Sequence, residues 1–326
     1  MIYIESPSTD PYYNLALEEF VFEKLDRSRS YFMLWQNANT VVIGKYQNTA
    51  EEIDQEAIDA NHTKVVRRLS GGGAVYHDSG NLNFTIITDQ SGHEDFNFRV
   101  FAEPVVRALA KIGVTAECTG RNDITINGMK FSGNSQYIKN GRILHHGCIM
   151  LDSNIKLVSE ILKPSKAKFE SKAAKSVISR VTTINEHAPH PVSMDEFKEL
   201  LKNEISLMEP LEPITITAEQ QEYIKSLKDS KYATWEWNYG KSPAYNVRKE
   251  KKFPSCLLSV FMQVEKGRIE SIKFYGDFFG NADIEELEKA LYHVSLDNDL
   301  ERTLEKAEPG RFINGITPKD LYSFLR

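Results

Sequence analysis

Three adjacent glycines, at positions 71–73, directly follow the run Arg67-Arg68-Leu69-Ser70 and form the stretch best suited to chemistry. Glycine has no Cβ, so a ligand can approach the backbone closely, and successive N–H groups in such a turn can bind an anion. The paired arginines supply guanidinium groups that match carboxylate and phosphate oxygens. Apolar runs anchor the loop at both ends, Val65-Val66 before it and 82–88 after it. The sequence therefore predicts an anion-binding loop rather than a flexible linker.

Two other nucleotide-binding signatures do not apply to this sequence. Gly240-Lys241-Ser242 is similar to the end of a P-loop, but Trp235 stands where that motif needs its upstream glycine. The triplet also lacks the spacing of a dinucleotide-binding turn, since Tyr76 occupies the position of the last glycine. The loop at 71–73 is thus a different kind of anion site.

A lysine follows a predicted tight turn in the second informative stretch, which runs from Gly120-Arg121-Asn122-Asp123 to Asn127-Gly128-Met129-Lys130. Asn-Gly between alternating runs favours a two-residue hairpin, because both central residues need a positive φ. The turn would hold Lys130 rigidly, and the small residues Ser132 and Gly133 would leave room for a ligand beside it. A lone strand lysine is more often a solvated surface residue, so this signal is weak by itself.

Adjacent histidines occur in a third stretch, Leu144-His145-His146-Gly147-Cys148. Neighbouring residues of a strand point to opposite faces, so the two imidazoles cannot easily share one metal ion. A buried, hydrogen-bonded histidine is the simpler interpretation of each. Cys148, like Cys118, is interpreted as a small apolar strand residue.

Composition excludes several classes of protein. The chain has 326 residues, of which 41% are hydrophobic, and this length predicts roughly two domains with a substantial core. The net charge of -6 argues against nucleic-acid binding, although the stretch 163–175 is basic. No apolar run is long enough to span a membrane, and the N-terminus has no secretory pattern. Neither a transmembrane segment nor a signal peptide is therefore expected. Three widely spaced cysteines fit a reducing cytoplasm.

The elements that must position these residues follow one another irregularly. Helices are predicted from an N-cap at Asn14, over 51–61, over 98–112, over 284–292 and from Thr317. Strands are predicted over 32–35, 40–43 and 82–88, in a meander over 124–151 with two Asn-Gly turns, and in a hairpin over 255–274. Because there is no regular βαβ order, the predicted fold class is α+β. The run 240–243 is the candidate boundary, which gives domains 1–242 and 247–326.

Together, these stretches resemble the lipoate–protein ligase A family. The run from Arg67 to Asp78 is highly diagnostic of that family. The other matching motifs are Asn14-Leu15-Ala16-Leu17-Glu18-Glu19, Gly80-Asn81-Leu82-Asn83-Phe84, Gly120-Arg121-Asn122-Asp123, Ser179-Arg180-Val181-Thr182 and Trp235-Glu236-Trp237-Asn238-Tyr239-Gly240. The tail after Ser242 is similar to the family's accessory domain, with less specific motifs, so the resemblance covers nearly the whole chain.

The resemblance implies a biotin/lipoate protein ligase-type catalytic domain of mixed sheets flanked by helices, with a small α+β C-terminal accessory domain. It implies ATP, Mg²⁺ and lipoate as ligands, lipoyl-AMP as intermediate, and the glycine-cleavage H protein or E2 lipoyl domains as carriers. Lys130 is the implied catalytic residue, and a loop over 165–183 would close over the adenylate. The implied ATP and lipoyl-adenylate contacts are Arg68, Ser70, Gly71, Gly72, Gly73, Ala74, Val75, Tyr76 and Lys130, with His77, Asn81, Asn122, Asp123 and His146 near the pocket and Asp123 as a magnesium contact.

The chemistry of acyl activation fits this set. Attack of a carboxylate on the α-phosphorus of ATP brings two anions together, so cations such as Lys130 and Arg68 are needed to stabilise the developing charge. Lys130 would then polarise the carbonyl while a carrier lysine attacks, and no general base is assigned. The apolar lipoyl chain needs an apolar channel, predicted around Trp35, Val42 and Leu69.

Two rival functions stay open at this point. An ATP-independent octanoyl- or lipoyl-transferase of the same fold would need a cysteine nucleophile near the lysine hairpin, for which Cys118 and Cys148 are the candidates. A non-catalytic lipoyl- or nucleotide-binding regulator would keep the pocket without the chemistry, and the presence of both Lys130 and Arg68 argues against it. Biotin ligation is less favoured, because the glycine loop of that family differs.

Overall fold

The computed structural model describes residues 1–91, 97–120, 122–162, 180–240, 245–296 and 298–326. Several features predicted from the sequence lie outside these residues. They are Arg121, the basic stretch 163–175, most of the proposed closing loop 165–183, and residues 241–243 of the candidate domain boundary. The domain limits at 242 and 247 therefore stay a prediction.

The described strands form three sheets. In chain order they are β1 (Ile2–Glu5), β2 (Tyr31–Trp35), β3 (Thr40–Ile43), β4 (Lys64–Arg67), β5 (Val75–His77), β6 (Asn81–Asp89), β7 (Glu117–Thr119), β8 (Asp123–Ile126), β9 (Met129–Lys139), β10 (Arg142–Met150), β11 (Glu212–Pro213), β12 (Val247–Lys252), β13 (Leu257–Glu265) and β14 (Arg268–Gly276). The main sheet has the order β11-β1-β2-β6-β10-β9-β8-β7, and β1 pairs in parallel with β2 and β11. The two smaller sheets have the orders β4-β3-β5 and β12-β13-β14.

Helices flank these sheets. The described α-helices are α1 (Pro11–Lys24), α2 (Thr49–Glu52), α3 (Gln55–Ala60), α4 (Phe98–Lys111), α5 (Ile155–Ile161), α6 (Met194–Ser206), α7 (Ala218–Leu227), α8 (Trp235–Asn238), α9 (Ile284–Ala290), α10 (Asn298–Ala307) and α11 (Pro318–Leu325). None of the described helices has the length and apolarity needed to cross a lipid bilayer. Mixed sheets with flanking helices confirm the predicted α+β class.

Strand β2 separates two apolar cores by simple alternation. Phe32 and Leu34 belong to a core shared with helices α4 and α6, whereas Tyr31, Met33 and Trp35 belong to a core shared with α1. All five side chains are buried. This is why the strand reads as a continuous apolar run rather than as an alternating one. The main sheet is therefore covered on both faces, and the face beneath α1 carries the cavity described below.

The predicted tight turns are confirmed. Asn127-Gly128 joins β8 to β9, Asn140-Gly141 joins β9 to β10, and all four residues have φ between 51° and 75°. The predicted C-terminal hairpin is formed by β13 and β14, with its turn at Lys266-Gly267. These turns form where the sequence predicts them because positive φ is a local requirement that Asn and Gly meet at low cost.

Two helix predictions were wrong in detail. Helix α1 begins at Pro11 after Asp10, so Asn14 is not its N-cap. Asn14 is buried within the helix, where its Nδ2 donates to the Asn37 Oδ1 at 2.9 Å. The predicted helix over 51–61 is divided into α2 and α3, because the Ile53 backbone forms a bridge to Leu162. At Ile53 a tertiary contact overrides the local pattern, whereas α1 starts from a local signal, since Pro11 is favoured in the first turn of a helix.

Arg67, the first of the paired arginines, is used inside the fold. Its guanidinium is buried and donates to backbone carbonyls of Gly44, Gln47 and Trp237 at 2.7–2.9 Å. It also donates to the Asn238 carbonyl at 3.0 Å. Burial lowers its pKa to about 10, which still leaves it charged at neutral pH. Arg67 therefore ties the segment around residues 44–47 to helix α8 and does not face a ligand.

The C-terminal part of the chain packs directly on the glycine loop. The Gly72 N–H donates to the Phe278 carbonyl at 3.4 Å, and the Gly276 N–H donates to the Tyr46 carbonyl at 2.7 Å. The rings of Tyr46 and Phe278 stack with centroids 4.5 Å apart. Gly71 also faces this segment, since a Cβ there would overlap the Phe278 carbonyl oxygen. The triplet is glycine-rich partly because another backbone approaches it closely.

We expect Gly71→Ala to lower the free energy of unfolding by about 1–3 kcal/mol, because the added methyl group would push the 276–279 segment away. Urea unfolding of the full chain would measure this. Gly73→Ala is the matched control, since a Cβ at Gly73 would have no heavy atom within 4 Å, and it should change stability by less than about 0.5 kcal/mol. Equal unfolding midpoints for Gly71→Ala and the unmodified chain would contradict the close contact.

Candidate active site

A cavity of about 300 Å³ opens between the main sheet, helix α1 and the glycine loop. Of the residues predicted from the sequence, those that line it are Arg68, Gly72, Gly73, Ala74, Val75, His77, Asn122, Asp123, Lys130 and His146. Ser70, Gly71, Tyr76 and Asn81 are not among the described lining residues. Arg68 and Lys130 thus lie on the walls of one cavity, as the sequence interpretation requires.

Arg68 holds the glycine loop in shape. Its guanidinium is buried and donates to the carbonyls of Gly71 and Gly73 at 2.6 and 2.8 Å and to the Val42 carbonyl at 3.2 Å. Its Nε donates to the Ser70 Oγ at 3.1 Å. Burial lowers its pKa to about 10, which is still high enough for the group to stay cationic at neutral pH. With these carbonyls turned toward Arg68, the loop presents its backbone to the cavity around a fixed positive charge.

Strand β5 sends alternate side chains to opposite sides. Val75 and His77 line the cavity. Tyr76 lies between them, packs in a separate apolar cluster, and donates its hydroxyl to the Asn39 Oδ1 at 3.0 Å. The Tyr76 side chain therefore supports the loop from behind, which follows from the period of two along a strand.

A chain of buried hydrogen bonds connects helix α1 to the glycine loop. Glu18 Oε1 pairs with His146 Nδ1 at 2.8 Å, and His146 Nε2 contacts the Ser70 Oγ at 2.7 Å. Ser135 then donates to the Gly71 carbonyl at 2.8 Å. Its Oγ also lies 2.7 Å from the Ser70 Oγ. These contacts fix the orientation of the His146 imidazole and place Ser70 and Gly71 just behind the cavity wall.

The interpretation of His145 and His146 as two separate, buried and hydrogen-bonded histidines is confirmed. His145 and His146 point to opposite faces of β10, as the strand period requires. His145 is fully buried, contacts Gln136 and Asn134 through its two ring nitrogens, and stacks on Phe101. Burial holds its pKa well below the usual value. His145 therefore belongs to the structural core, and only His146 reaches the cavity.

Lys130 projects into the cavity from the start of β9. Its Nζ forms an ion pair with Asp123 Oδ1 at 2.7 Å, and its side chain is about one-third exposed. Gly133 makes room for the lysine itself, because a Cβ there would lie 2.9 Å from Lys130 Nζ. The Lys130 carbonyl accepts the Thr182 N–H at 2.9 Å, which adds a second restraint behind the hairpin. The ammonium is thus held at a fixed place beside open space.

Asp123 was the candidate magnesium contact. Among the described residues, no group of three or more carboxylate, histidine or cysteine side chains could hold a metal ion. Mg²⁺ commonly keeps several waters and binds through one or two carboxylates together with substrate phosphates. The one carboxylate beside Lys130 therefore fits a metal ion that enters with a nucleotide, and it does not form a complete protein site.

His77 presents a neutral N–H to the cavity. Asn14 Nδ2 donates to Asn37 Oδ1 at 2.9 Å, which turns the Asn37 Nδ2 toward His77 Nδ1 at 3.2 Å. His77 Nδ1 must then accept, so the proton lies on Nε2, which is buried and has no partner among the described residues. Burial, with Arg68 nearby, lowers the His77 pKa to about 3. His77 is a hydrogen-bond donor at neutral pH rather than a general base.

The two candidate cysteines differ in position. Cys148 lines the cavity, and its Sγ lies 3.6 Å from the Gly133 carbonyl oxygen. Cys118 is on β7, packs against the core of helices α4 and α6, and is not among the described lining residues. Burial raises the pKa of the Cys118 thiol, which disfavours the reactive thiolate. Only Cys148 has the position that a nucleophile would need.

Several lining residues were missed by the sequence analysis. They are Leu15, Asn83, Asn134, Ser135, Gly147 and Asp277. Leu15, Asn83 and Gly147 occur in or beside motifs, but nothing in a linear pattern says which face of an element they occupy. Of the guessed channel residues, Trp35 and Val42 line the cavity, whereas Leu69 is buried and is not among the described lining residues.

Two family models match the chain. Residues 10–206 match the model described as lipoyl protein ligase A/B catalytic domain, and residues 242–325 match the bacterial lipoate protein ligase C-terminus. The chain belongs to the lipoate–protein ligase family.

Individual relatives and solved structures support the same family. The chain is 46% identical over 283 residues to lipoate–protein ligase 1 of Staphylococcus aureus, covering 87% of this chain and 86% of the relative. It is 40% identical to lipoate-protein ligase LplJ of Bacillus subtilis, covering both chains fully. The bi-partite lipoate protein ligase of Thermoplasma acidophilum, described with its E2 lipoyl domain, superposes with a TM-score of 0.66 at 30% identity over 76% of this chain and 98% of that one. A lipoate-protein ligase A bound with ATP superposes with a TM-score of 0.63 at 27% identity, covering 73% of this chain and 97% of that one.

We expect acid to destabilise the fold through His77. Its pKa is about 3 in the folded protein and about 6.5 in an unfolded chain, so only the unfolded state gains the proton between these values. The contribution is therefore complete above pH 6.5 and falls by up to about 1.4 kcal/mol per pH unit as the pH drops toward 3. His145 acts in the same direction.

Urea unfolding at pH 7, 6 and 5 would measure this slope in His77→Gln and in the unmodified chain. His77→Gln should flatten the dependence of the unfolding free energy on pH. His190→Gln, at an exposed position, is the control and should leave the slope unchanged. An identical slope in His77→Gln would show that His77 is not held neutral.

Proposed function

We propose that this protein is an ATP-dependent lipoate–protein ligase that forms lipoyl-AMP and transfers the lipoyl group to a lysine of a carrier protein. The observation that carries the proposal is the meeting of Lys130 and the Arg68-braced glycine loop in one cavity. Related structures solved with ATP and with lipoate support the same ligands here. The apolar side chains of Trp35 and Val42 give the acyl chain a surface to bury.

In the first step, a lipoate carboxylate oxygen attacks the α-phosphorus of ATP, a P–O bond forms, and pyrophosphate leaves. Negative charge gathers where two anions meet, so a fixed cation stabilises the transition state more than the separated reactants. We assign this role to the Lys130 ammonium, with the Arg68 charge behind the loop. A Mg²⁺ ion bound with ATP would neutralise part of the phosphate charge, and Asp123 is the carboxylate that we assign to hold it. The loop residues 72–75, which line the cavity, would contact the nucleotide, with Ser70, Gly71 and Tyr76 supporting them from behind.

In the second step, the amine of a carrier lysine attacks the lipoyl carbonyl, a C–N bond forms, and the C–O bond to AMP breaks. Lys130 polarises the carbonyl, because its ammonium already lies on the cavity wall. The amine must lose a proton before or during attack, since its reference pKa is about 10.4. We assign no residue to that proton. Carriers would be E2 lipoyl domains, as for the Thermoplasma acidophilum ligase, and the glycine-cleavage H protein.

The remaining properties follow from the same proposal. Residues 1–242 would form the catalytic domain and 247–326 an accessory domain. One family model matches within the first part, over 10–206, and the other spans almost the same residues as the second, over 242–325. The three cysteines are free thiols, which fits a cytoplasmic protein.

The proposal predicts that a lipoyl domain gains one lipoyl mass only when lipoate, ATP and Mg²⁺ are all present, as read by mass spectrometry. Lys130→Ala should lower pyrophosphate release at least about hundredfold, because a preorganised charge is lost. Its melting temperature should stay close to that of the unmodified chain, since the lysine is partly exposed. Lys139→Ala, an exposed lysine at the other end of β9 that pairs with Glu23, should keep full activity. Lipoylation without ATP would refute the proposal.

The transferase rival makes a different prediction about Cys148. A nucleophilic thiol is indispensable, and its removal would cost several orders of magnitude in rate. We expect Cys148→Ala to keep ATP-dependent lipoylation within about tenfold of the unmodified chain, because the thiol only lines the cavity. Cys118→Ala is the control outside the cavity. Loss of activity in Cys148→Ala, together with a lipoyl thioester on the unmodified chain, would favour the rival.

A further inference from the structure

We propose that the side-chain amide of Asn83 binds the acyl oxygen of the acid substrate from the side of the cavity opposite Lys130. This deepens the proposed function by adding a second group at the reacting carbon. Asn83 was part of a motif in the sequence but was given no role. Three features of Asn83 support this role: its burial, its unpaired donor, and its register in the main sheet.

Asn83 has a polar atom that finds no partner in the part of the chain that the structure describes. The residue is 1% exposed and lines the cavity. Its Oδ1 accepts a hydrogen bond from Asn81 Nδ2 at 3.1 Å, whereas its Nδ2 is unpaired among the described residues. A buried amide donor left unpaired is costly, and nearly all such groups in folded proteins are satisfied. An unpaired donor on a side chain that lines a cavity is therefore suited to an acceptor that arrives with the ligand.

The register of the main sheet places Asn83 level with Lys130. Asn83 on β6 pairs with Cys148 on β10, which pairs with Gly133 on β9. Residues directly opposite across strands share a face, so these three form one row on the cavity side. The Lys130 side chain lies over Gly133. With strands about 4.8 Å apart, the Asn83 and Gly133 backbones are about 10 Å from each other.

This row has room for a carboxyl group between two donors of different kinds. Cys148 is at its centre, and its small side chain leaves the space above it open. The Lys130 ammonium is on one side, and the Asn83 N–H is on the other. One carboxylate oxygen is then directed toward the α-phosphorus beside Lys130. The other stays on Asn83 and becomes the carbonyl oxygen of the mixed anhydride.

The same donor would act in both chemical steps. During adenylation, the oxygen held by Asn83 keeps the carboxylate in one orientation while its partner oxygen forms the bond to phosphorus. During transfer, the carrier amine adds to the carbonyl carbon, and negative charge develops on that same oxygen. The Asn83 N–H strengthens its hydrogen bond as this charge grows, after which the C–O bond to AMP breaks. A neutral amide can do this without attracting the phosphate, which leaves the cation for the nucleotide.

A pair of stable adenylate analogues tests this contact directly. One is a β-ketophosphonate of lipoyl-AMP, which keeps the acyl oxygen. The other is an alkyl phosphodiester of AMP with the same chain, in which CH₂ replaces the carbonyl and the charge is unchanged. Calorimetry would give the ratio of their dissociation constants for the unmodified chain, for Asn83→Leu, and for Thr85→Val. Thr85 lies on the same strand and face one row away, bonded to Glu18, so its variant is the matched control.

We expect Asn83→Leu to reduce the preference for the keto analogue about tenfold, since a buried hydrogen bond is lost. Thr85→Val should keep the preference of the unmodified chain. Asn83→Leu should also lower kcat for lipoyl transfer from preformed lipoyl-AMP by about a hundredfold. If Asn83→Leu proves unfolded by its thermal melt, Asn83→Ala removes the same donor with less bulk.

An unchanged preference in a folded Asn83 variant would overturn the assignment, and so would an equal loss in Thr85→Val. These outcomes are separate from a failure of the proposed function. If the proposed function itself were wrong, the unmodified chain would bind neither analogue and would form no lipoyl-AMP.

Discussion

The burial of the Arg68 guanidinium inside the glycine loop is the interaction on which the cavity depends. A buried cation needs its hydrogen bonds satisfied, and here the loop carbonyls at Gly71 and Gly73 do this. A loop with so many glycines would otherwise have many conformations, and fixing one is entropically costly. Arg68 offsets that cost and leaves a positive charge behind the cavity wall. The sequence therefore uses one side chain both to shape the loop and to set its electrostatics.

The main sheet supplies the second constraint, because it fixes which side chains can meet. Its rows run across strands that are far apart in the chain, so Trp35, Asn83, Cys148 and Gly133 become neighbours. The next row carries Thr85, His146 and Ser135, whose hydrogen bonds lead to the glycine loop and to helix α1. The sheet face and the loop are therefore mechanically connected. A row that lines the cavity and a hydrogen-bonded row that supports it lie side by side.

The features that could be predicted from sequence are those whose causes are local. Asn127-Gly128 specifies its turn through the backbone preferences of two residues, and Arg68 with the glycines forms one continuous motif. The role of Gly133 could not be predicted, because what it makes room for is the Lys130 side chain folded over it. Asn83 and Ser135 likewise gain meaning only from strand register. The helix expected over 51–61 was divided by a bridge to Leu162, a partner more than one hundred positions away in the chain.

The hydrogen bonds of Arg67 have a consequence for how the chain can be divided. A fragment ending at residue 206, where the match to the catalytic family model stops, would lack Trp237 and Asn238. Their carbonyls accept from the Arg67 guanidinium, and the Asn238 Oδ1 accepts the Arg67 N–H at 2.9 Å. Such a fragment would expose an arginine that the fold has already removed from water, next to the residue that shapes the loop. The smallest independent catalytic unit therefore extends at least through helix α8.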